Sequence, residues 1–396
     1  MSSDEVLGVR AGRRADDDVV GRLVAHAFAT LPEHVPATLE LAGRGNGRLI
    51  CDGPDVVGTG LLLPMGQFFG QRRVSMTGVA AVTVAPHHQR QGVATTLMRS
   101  ILTELATAKV GLSTLFATTA TLYRRVGYAC AGTRFLAQLE PGQRLTGERG
   151  GTLLPMDAAG ETRVRALYGA HAPAFAGFLD RSEYTWTRLL RPWADRTPTC
   201  VLARHDNGQV EGYVSFSKRR GEGLRHTLVV HDLFATSAWG YRRLWSFLAA
   251  QCTRLVDAIE LHTAPHDPAW LILPEPRGTM TLADTWMLRV IDLDAAFGQR
   301  GYPPLLDATL DLDVYDDVID ANNGQWRLSV HGGRGVIQRG GAGDLRTNIQ
   351  GLSALYAGFT SPAALAAAGL LEGTPAALAI AGTVFATAQP WMREMF

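Results

Sequence analysis

The stretch Val82-Thr83-Val84-Ala85-Pro86-His87-His88-Gln89-Arg90-Gln91-Gly92-Val93-Ala94 sets residues that could bind an anion at an informative spacing. A β-branched run reads as a strand, Pro86 ends it, and a short loop leads through Gly92 into a helix. Ala94, Leu97, Met98, Ile101, Leu102 and Leu105 recur at i, i+3, i+4, i+7, i+8 and i+11, which is one apolar helical face. A loop ending at a helix N-terminus presents backbone N–H groups with no intrahelical partner, and the helix dipole adds partial positive charge there. Anions bind at such places. A side chain at position 92 would keep a diphosphate away from the backbone, and Arg90 would add a charge-assisted contact. The same residues also describe an ordinary strand-to-helix connection. His87 and His88 invite a metal reading, but adjacent histidines do not easily share one tetrahedral centre and no further ligand is near them in sequence, so they read as solvated loop residues and no metal is expected.

These residues need elements to hold them. With 396 residues the chain is long enough for two or three domains. The first segment, residues 1–145, alternates helix and strand signals: a helix near Asp17 to Phe28, strands at Val56 to Pro64 and Ser75 to Val84, the helix from Gly92, and a strand at Thr114 to Thr118. This is a mixed α/β pattern. From Glu140 to Gly151 the composition turns to Pro, Gly and charge (Pro141, Gly142, Gly147, Gly150, Gly151), which reads as a linker. Residues 146–290 repeat the order strand, strand, helix, strand, with strands at Glu211 to Ser217, His226 to Phe234 and Ala258 to Thr263. There Trp239 and Tyr241 stand where a diphosphate would need small residues, so this segment reads as scaffold. In residues 291–396 strands at Thr309 to Val314, Gln325 to Val330 and Gly335 to Gln338 precede Ala-rich helices, an α+β order, and Trp286 to Ile291 reads as the strand leading in.

Composition excludes several classes. The formal charge is +1, from 38 basic and 37 acidic residues with no long block of either sign, so no nucleic-acid or membrane partner is expected. The first eighteen residues lack the basic and apolar pattern of a signal peptide, and no window is apolar over about 18 residues. Cys51, Cys130, Cys200 and Cys252 are scattered without a CxxC pair, as ordinary thiols of a reducing compartment. The expected location is cytoplasmic.

Gln89-x-x-Gly92-x-Ala94 after a strand, followed by Tyr123-x-x-x-Gly127-Tyr128, resembles the pyrophosphate loop and the Tyr, Gly-Phe/Tyr signature of GCN5-related N-acetyltransferases. Trp286-Met-Leu-Arg289, Arg300-Gly-Tyr302, the Leu352 to Gly358 segment and the aromatic C-terminus extend the resemblance over the whole chain, to the Eis (enhanced intracellular survival) acetyltransferases. The resemblance implies two tandem acetyltransferase-type domains, the second degenerate, followed by a sterol-carrier-like α+β domain whose C-terminus returns to the active site.

It also implies roles. Acetyl-CoA would be the co-substrate, with Val82, Thr83 and Val84 along its pantetheine arm and Gln89, Arg90, Gln91, Gly92, Val93 and Ala94 around its diphosphate. Tyr123 would be the general acid: a phenol of pKa about 10 can protonate a thiolate whose conjugate acid lies near about 8.5. An aromatic packing residue is the competing reading for Tyr123, and Tyr128 reads as structural. The α-carboxylate of Phe396 would orient the amine and assist its deprotonation; Trp391, Met392, Met395 and Phe396 are apolar for a frayed tail. Phe28, Ala81 and Glu394 would line the amine pocket. Two departures stand out: Met395 sits where an acid is expected, and Ala81 replaces a bulky aromatic. A small cationic acceptor, aminoglycoside-like, acetylated at several amines by a homohexamer, is what the resemblance implies. Protein lysines, polyamines, peptide antibiotics or a non-catalytic ligand-binding role are the alternatives.

Overall fold

The structure, a computed structural model, describes residues 7–141, 147–192 and 196–396. Gly142 of the expected linker and the expected boundary at 145/146 lie outside the described residues. The first part runs β1 (Gly8–Ala11), α1 (Asp17–Phe28), α2 (Val35–Ala42), β2 (Gly47–Asp52), β3 (Asp55–Phe69), β4 (Arg72–Val84), α3 (Val93–Thr107), β5 (Leu112–Phe116), α4 (Ala120–Arg124) and β6 (Ala129–Leu139). The apolar stripe of α3 is its buried face, with Leu97, Met98, Ile101 and Leu102 fully buried and Leu105 nearly so. Each such side chain contributes roughly 1.5–3 kcal/mol. β3 and β4 form a long hairpin whose turn needs two positive φ angles, 58° at Gly70 and 65° at Gln71.

The second part holds β7 (Thr152–Pro155), α5 (Ala158–His171), β8 (Leu179–Asp180), α6 (Glu183–Leu190), β9 (Thr199–Arg204), β10 (Val210–Arg220), β11 (His226–Ala235), α7 (Ala238–Gln251), β12 (Val256–Thr263), α8 (Pro268–Ile272) and β13 (Gly278–Val290). β4-α3-β5 and β11-α7-β12 are matching units, each with its two strands parallel. The two parts share one sheet, in the order β1-β2-β3-β4-β5-β13-β6-β12-β11-β10-β9-β7. Its middle is interleaved. β13 pairs antiparallel with both β5 and β6, while β6 pairs with β12. The strand foreseen at Trp286 to Ile291 therefore completes the first unit's sheet.

The third part is α9 (Leu293–Gln299), β14 (Ala308–Tyr315), β15 (Gly324–His331), β16 (Arg334–Arg339), β17 (Leu345–Asn348), α10 (Ile349–Ala357), α11 (Pro362–Ala367), β18 (Leu371–Gly373) and α12 (Pro375–Val384), with sheet order β16-β15-β14-β17-β18. Trp326, Leu328 and Val330 of β15 point inward and Arg327, Ser329 and His331 outward, the period-two pattern of a half-buried strand. α10 is buried on all sides, from Ile349 to Ala357 except Gln350. It closes the third part onto the first, with Ser353 Oγ accepting from the Val290 N–H at 3.0 Å. Arg300 is fully buried, its guanidinium donating to the carbonyls of Tyr356 and Phe385 and lying over the rings of Tyr356 and Phe385. Burial pulls its pKa down. No helix among the described residues is long and apolar enough to cross a membrane.

Arg289 of β13 ties the three parts together. It is fully buried and donates from Nε to the Val126 carbonyl (2.7 Å), from Nη1 to the Val290 carbonyl (2.9 Å) and from Nη2 to Asp316 Oδ1 (2.7 Å). Asp316 in turn accepts from the Val318 and Ile319 N–H groups and from Asn322 Nδ2. Removing one partner would leave a buried charge uncompensated. Asp316→Ala is expected to destabilise the protein by about 3–5 kcal/mol in denaturant melts. Arg225→Ala, which breaks the exposed pair with Asp257, should cost less than about 1 kcal/mol; equal effects would show that burial does not govern the Arg289–Asp316 pair.

Candidate active site

β4 and β5 run parallel and pair only from Met76–Leu112 to Gly78–Thr114. Beyond Gly78 the two strands part, although β4 continues to Val84 and stays paired with β3 on its other edge. The cause lies in β4. Its register against β3 slips between Thr59 and Leu61, and Ala81 takes φ 51°, a left-handed conformation costly for a residue with a Cβ. A bulge of this kind bends and over-twists its strand. The result is a cleft with the free peptide edge of Val79 to Val84 on one side and the end of β5 on the other. An extended amide chain can add to such an edge.

That edge leads to the loop foreseen as an anion site. Pro86–His88 make a single 3-10 turn, Arg90 and Gly92 take φ 63° and 84°, and α3 starts at Val93. Gln89, Arg90, Gln91 and Gly92 are exposed, Ala94 is half-buried, and Val93 anchors the first turn in the core. No side chain caps this helix, and a Cβ at Gly92 would meet no protein atom within 4 Å. Glycine is required there by its backbone angle, and the space outside it is open. At α7 the corresponding terminus is taken: Ser237 caps it, accepting from the Gly240 N–H at 3.0 Å, and donates to the Glu211 carboxylate. A carboxylate at that spot repels phosphate, a stronger obstacle than the bulk of Trp239 and Tyr241. His88 lies 3.3 Å from the Asp52 carboxylate rather than in free solvent, and among the described residues no three His, Cys, Asp or Glu side chains converge to hold a metal ion.

Tyr123 lies in the short helix that follows β5. The chain turns back at Gly127, with Tyr128 N–H donating to the Tyr123 carbonyl (3.0 Å) and Gly127 N–H to the Arg124 carbonyl (3.1 Å), a Schellman closure. Gly127 has φ 86°, and a Cβ there would lie 2.5 Å from Ile349 and 2.9 Å from Arg289 Nε. The third domain thus presses directly on the turn that sets Tyr123. Tyr128 is fully buried, its hydroxyl 2.6 Å from Ser113 Oγ and its ring edge-on to Tyr123. Burial pushes the Tyr123 phenol up to about 12, so it holds its proton throughout the neutral range.

The C-terminal tail enters the mouth of the cleft. A Cβ at Gly78 would lie 2.6 Å from the Phe396 ring, which packs edge-on to Phe116 of β5 at 5.8 Å between centroids. The tail is held before it arrives: Trp391 is buried against Phe178 and its N–H donates to the Ala176 carbonyl, while Arg393 donates to Asp267 (2.9 Å). Glu394 is also buried, in an ion pair with Arg181. Arg181 reaches Asp232 at 2.7 Å, and Tyr213 donates to the same carboxylate. Burial favours the neutral Asp232 acid, but Arg181 and Arg393 outweigh it and hold the carboxyl below its usual range.

A cavity of about 330 Å³ lies beside the tail, lined by Tyr184, Arg188, Arg134, His262, Glu394 and Phe396 among others. A second, of about 190 Å³, lies against α1 and α2, is lined by Ala81 and Val24, and shares Tyr184 and Arg188 with the first. Glu394 reaches the wall, with its charge spent on Arg181. Phe28 is 43% exposed, one turn beyond Val24. The sequence reading missed Tyr184, Arg188, Arg134 and His262. Tyr184 and Arg188 stand four apart on α6, a spacing every helix produces, and nothing in the sequence distinguishes them.

The chain matches family descriptions over most of its length: acetyltransferase (GNAT) domains at residues 9–131 and 177–290 and a sterol carrier protein domain at residues 293–393. It is 30% identical over 346 residues to an uncharacterized N-acetyltransferase of Streptomyces avermitilis, covering 83% of each chain. It is 25% identical over 376 residues to the N-acetyltransferase Eis of Mycobacterium tuberculosis, covering 90% of this chain and 87% of that one. The crystal structure of a GCN5-related N-acetyltransferase from Anabaena variabilis superposes with a TM-score of 0.92 at 30% identity, over 99% of this chain and 100% of that one. A parted parallel strand pair, an uncapped helix N-terminus and a buried tyrosine after the second strand are thus set in two acetyltransferase-type domains and a sterol-carrier-like domain, and the chain belongs to the Eis-like GCN5-related N-acetyltransferases.

Proposed function

We propose that this enzyme moves the acetyl group of acetyl-CoA directly to a primary amine of a small molecule. The observation that carries the reading is the free edge of β4 leading, through one 3-10 turn and a short loop, to the open N-terminus of α3. Val82, Thr83 and Val84 offer peptide groups to the pantetheine amides, and the N–H groups from Gln89 to Ala94 with the Arg90 guanidinium receive the diphosphate. Ala81, at the bulge, is the residue beside the thioester. As the C–N bond forms and the C–S bond breaks, the Tyr123 phenol gives its proton to the departing sulfur and regains one from solvent. The Phe396 carboxylate orients the acceptor ammonium and helps pass its proton to water; an α-carboxylate, of pKa about 3.5, is too weak to hold that proton alone. His262 stands nearby, but burial first, and then Arg134, hold its pKa down at about 4, which makes it a neutral wall residue.

Aminoglycosides, the acceptor class implied by the resemblance, are polycations and need carboxylates with charge to spare. Around this cavity Glu394 is paired with Arg181, Asp284 with Arg134 and Glu260 with Arg219. A small acceptor with fewer positive charges suits it better. We further propose a cytoplasmic setting, supported by four cysteines that form no disulfide, and a homohexamer, which light scattering distinguishes from a single chain of 42.7 kDa.

Tyr123→Phe is expected to lower kcat by about 10²-fold or more while leaving the acetyl-CoA Kd within a few-fold. Because the phenol stays protonated, the wild-type rate should show no decline from its ionisation up to about pH 10. An unchanged kcat in the variant would end the acid assignment. A peptide tag added after Phe396 should abolish most turnover without lowering the melting temperature, and Gly78→Val, which drives a side chain into the Phe396 ring, should act in the same direction; full activity in both would remove the tail from the mechanism.

A further inference from the structure

We propose that the acceptor is an amine that also carries an anionic group, and that Arg188 is the residue that binds this group. The inference rests on the N-acetyltransferase reading and names the acceptor class for the same site.

Among the described residues, the two cavities that meet at Tyr184 and Arg188 contain a single carboxylate side chain between their linings, Glu394, and five arginines: Arg134, Arg188, Arg196, Arg219 and Arg393. Glu394 is buried and committed to Arg181. Three of the arginines are likewise committed, Arg134 to Asp284 at 2.7 Å, Arg219 to Glu260 at 2.7 Å and Arg393 to Asp267 at 2.9 Å. Arg188 differs. Its Nη1 donates to the Tyr184 hydroxyl (3.0 Å) and to the Met395 carbonyl (3.4 Å), both neutral acceptors, its Nε is buried without an acceptor, and it has no carboxylate partner among the described residues. A guanidinium at a cavity wall with no carboxylate partner among the described residues is a fork for a carboxylate or phosphate.

Its position fits such a role. Arg188 borders both cavities, so it stands between Ala81, at the bulge of β4, and Phe396, at the mouth of the cleft. The bond to the Met395 carbonyl places the guanidinium one residue from the chain's terminal carboxylate. An acceptor with an ammonium for the Phe396 carboxylate and an acid group for Arg188 would be gripped at both ends with its amine turned to the cleft. A polycation would meet the guanidinium head-on and find, among the described residues of the two walls, no uncommitted carboxylate but that of Phe396. The cavities, about 330 and 190 Å³, suit an amino acid or an amine of similar size.

The test is a thiol-release assay over matched acceptors at fixed acetyl-CoA: lysine, lysinamide and the decarboxylated diamine; phosphoethanolamine and ethanolamine; and one polycationic aminoglycoside. The expected result is a kcat/KM at least about tenfold higher for an anionic member than for its uncharged or cationic counterpart, carried mainly by KM. The lysine and phosphoethanolamine arms decide between carboxylate and phosphate. Arg188→Gln should collapse that ratio towards one, Arg188→Glu should invert it, and Arg188→Lys should retain part of it, with melting temperatures reporting that each variant is folded. Turnover that favours the diamine or the aminoglycoside over lysine and phosphoethanolamine would overturn the anionic-acceptor proposal and leave the acetyltransferase reading standing. A preference that survives Arg188→Gln would overturn the role of Arg188. No thiol release with any amine would sink both.

Discussion

A parallel strand pair that stops pairing halfway has to leave backbone amides without partners, and unpaired amides away from water are costly. The parting of β4 from β5 beyond Gly78 is the constraint from which the rest of this molecule follows. It is maintained from the β4 side by the bulge and the left-handed Ala81. It is maintained from the β5 side by β13, which takes up the opposite edge of β5 from Leu112 to Phe116. Held in this way, the two strands cannot close on each other, and the free edge of β4 is available to a chain that is itself a string of amides.

The same need explains why the three parts of the chain are inseparable. β13 comes from the end of the second part yet completes the first part's sheet, Arg289 on that strand clamps the turn behind Tyr123, and α10 of the third part packs on the same turn through Ile349. The tail that follows then passes between the first two units and ends over Gly78. Its approach is lined by buried ion pairs, Arg181 with Asp232 and Glu394, and Arg393 with Asp267. Buried pairs add little net stability compared with apolar packing, but a misplaced partner is severely penalised. In this place that penalty acts on geometry: the pairs hold the tail on its course, which ends with the Phe396 ring over Gly78.

The two units show how one architecture opens or closes a helix start through few residues. Each is a strand, a helix and a parallel strand. In the first, Gly92 leaves the helix start bare and open; in the second, Ser237 and Glu211 satisfy it from within. The difference is electrostatic before it is steric. α6, which lies ahead of the second unit, lends Tyr184 and Arg188 to the walls of both cavities beside the cleft.

Local signals in the sequence carried the parts of this protein that depend on near neighbours. The α3 stripe, the Gly92 turn and the run of strands before Ala-rich helices in the third part are written in spacings of a few residues, because helix periodicity and turn geometry are local; α9 ahead of those strands and β18 between the last two helices lie outside that reading. The apolar ending at Trp391 to Phe396 signalled a buried tail. Tertiary structure alone decided which strands meet, since β13 and β5 are joined across more than 160 residues and edge pairing leaves no local trace. It also decided the electrostatics of the cavities beside the cleft. Glu394 looks available in sequence and is neutralised by Arg181, while Arg188 looks like any arginine on a helix and lines both cavities without a carboxylate partner among the described residues, because charge in a protein is set by which groups the fold brings within a few ångströms, not by which groups the chain contains.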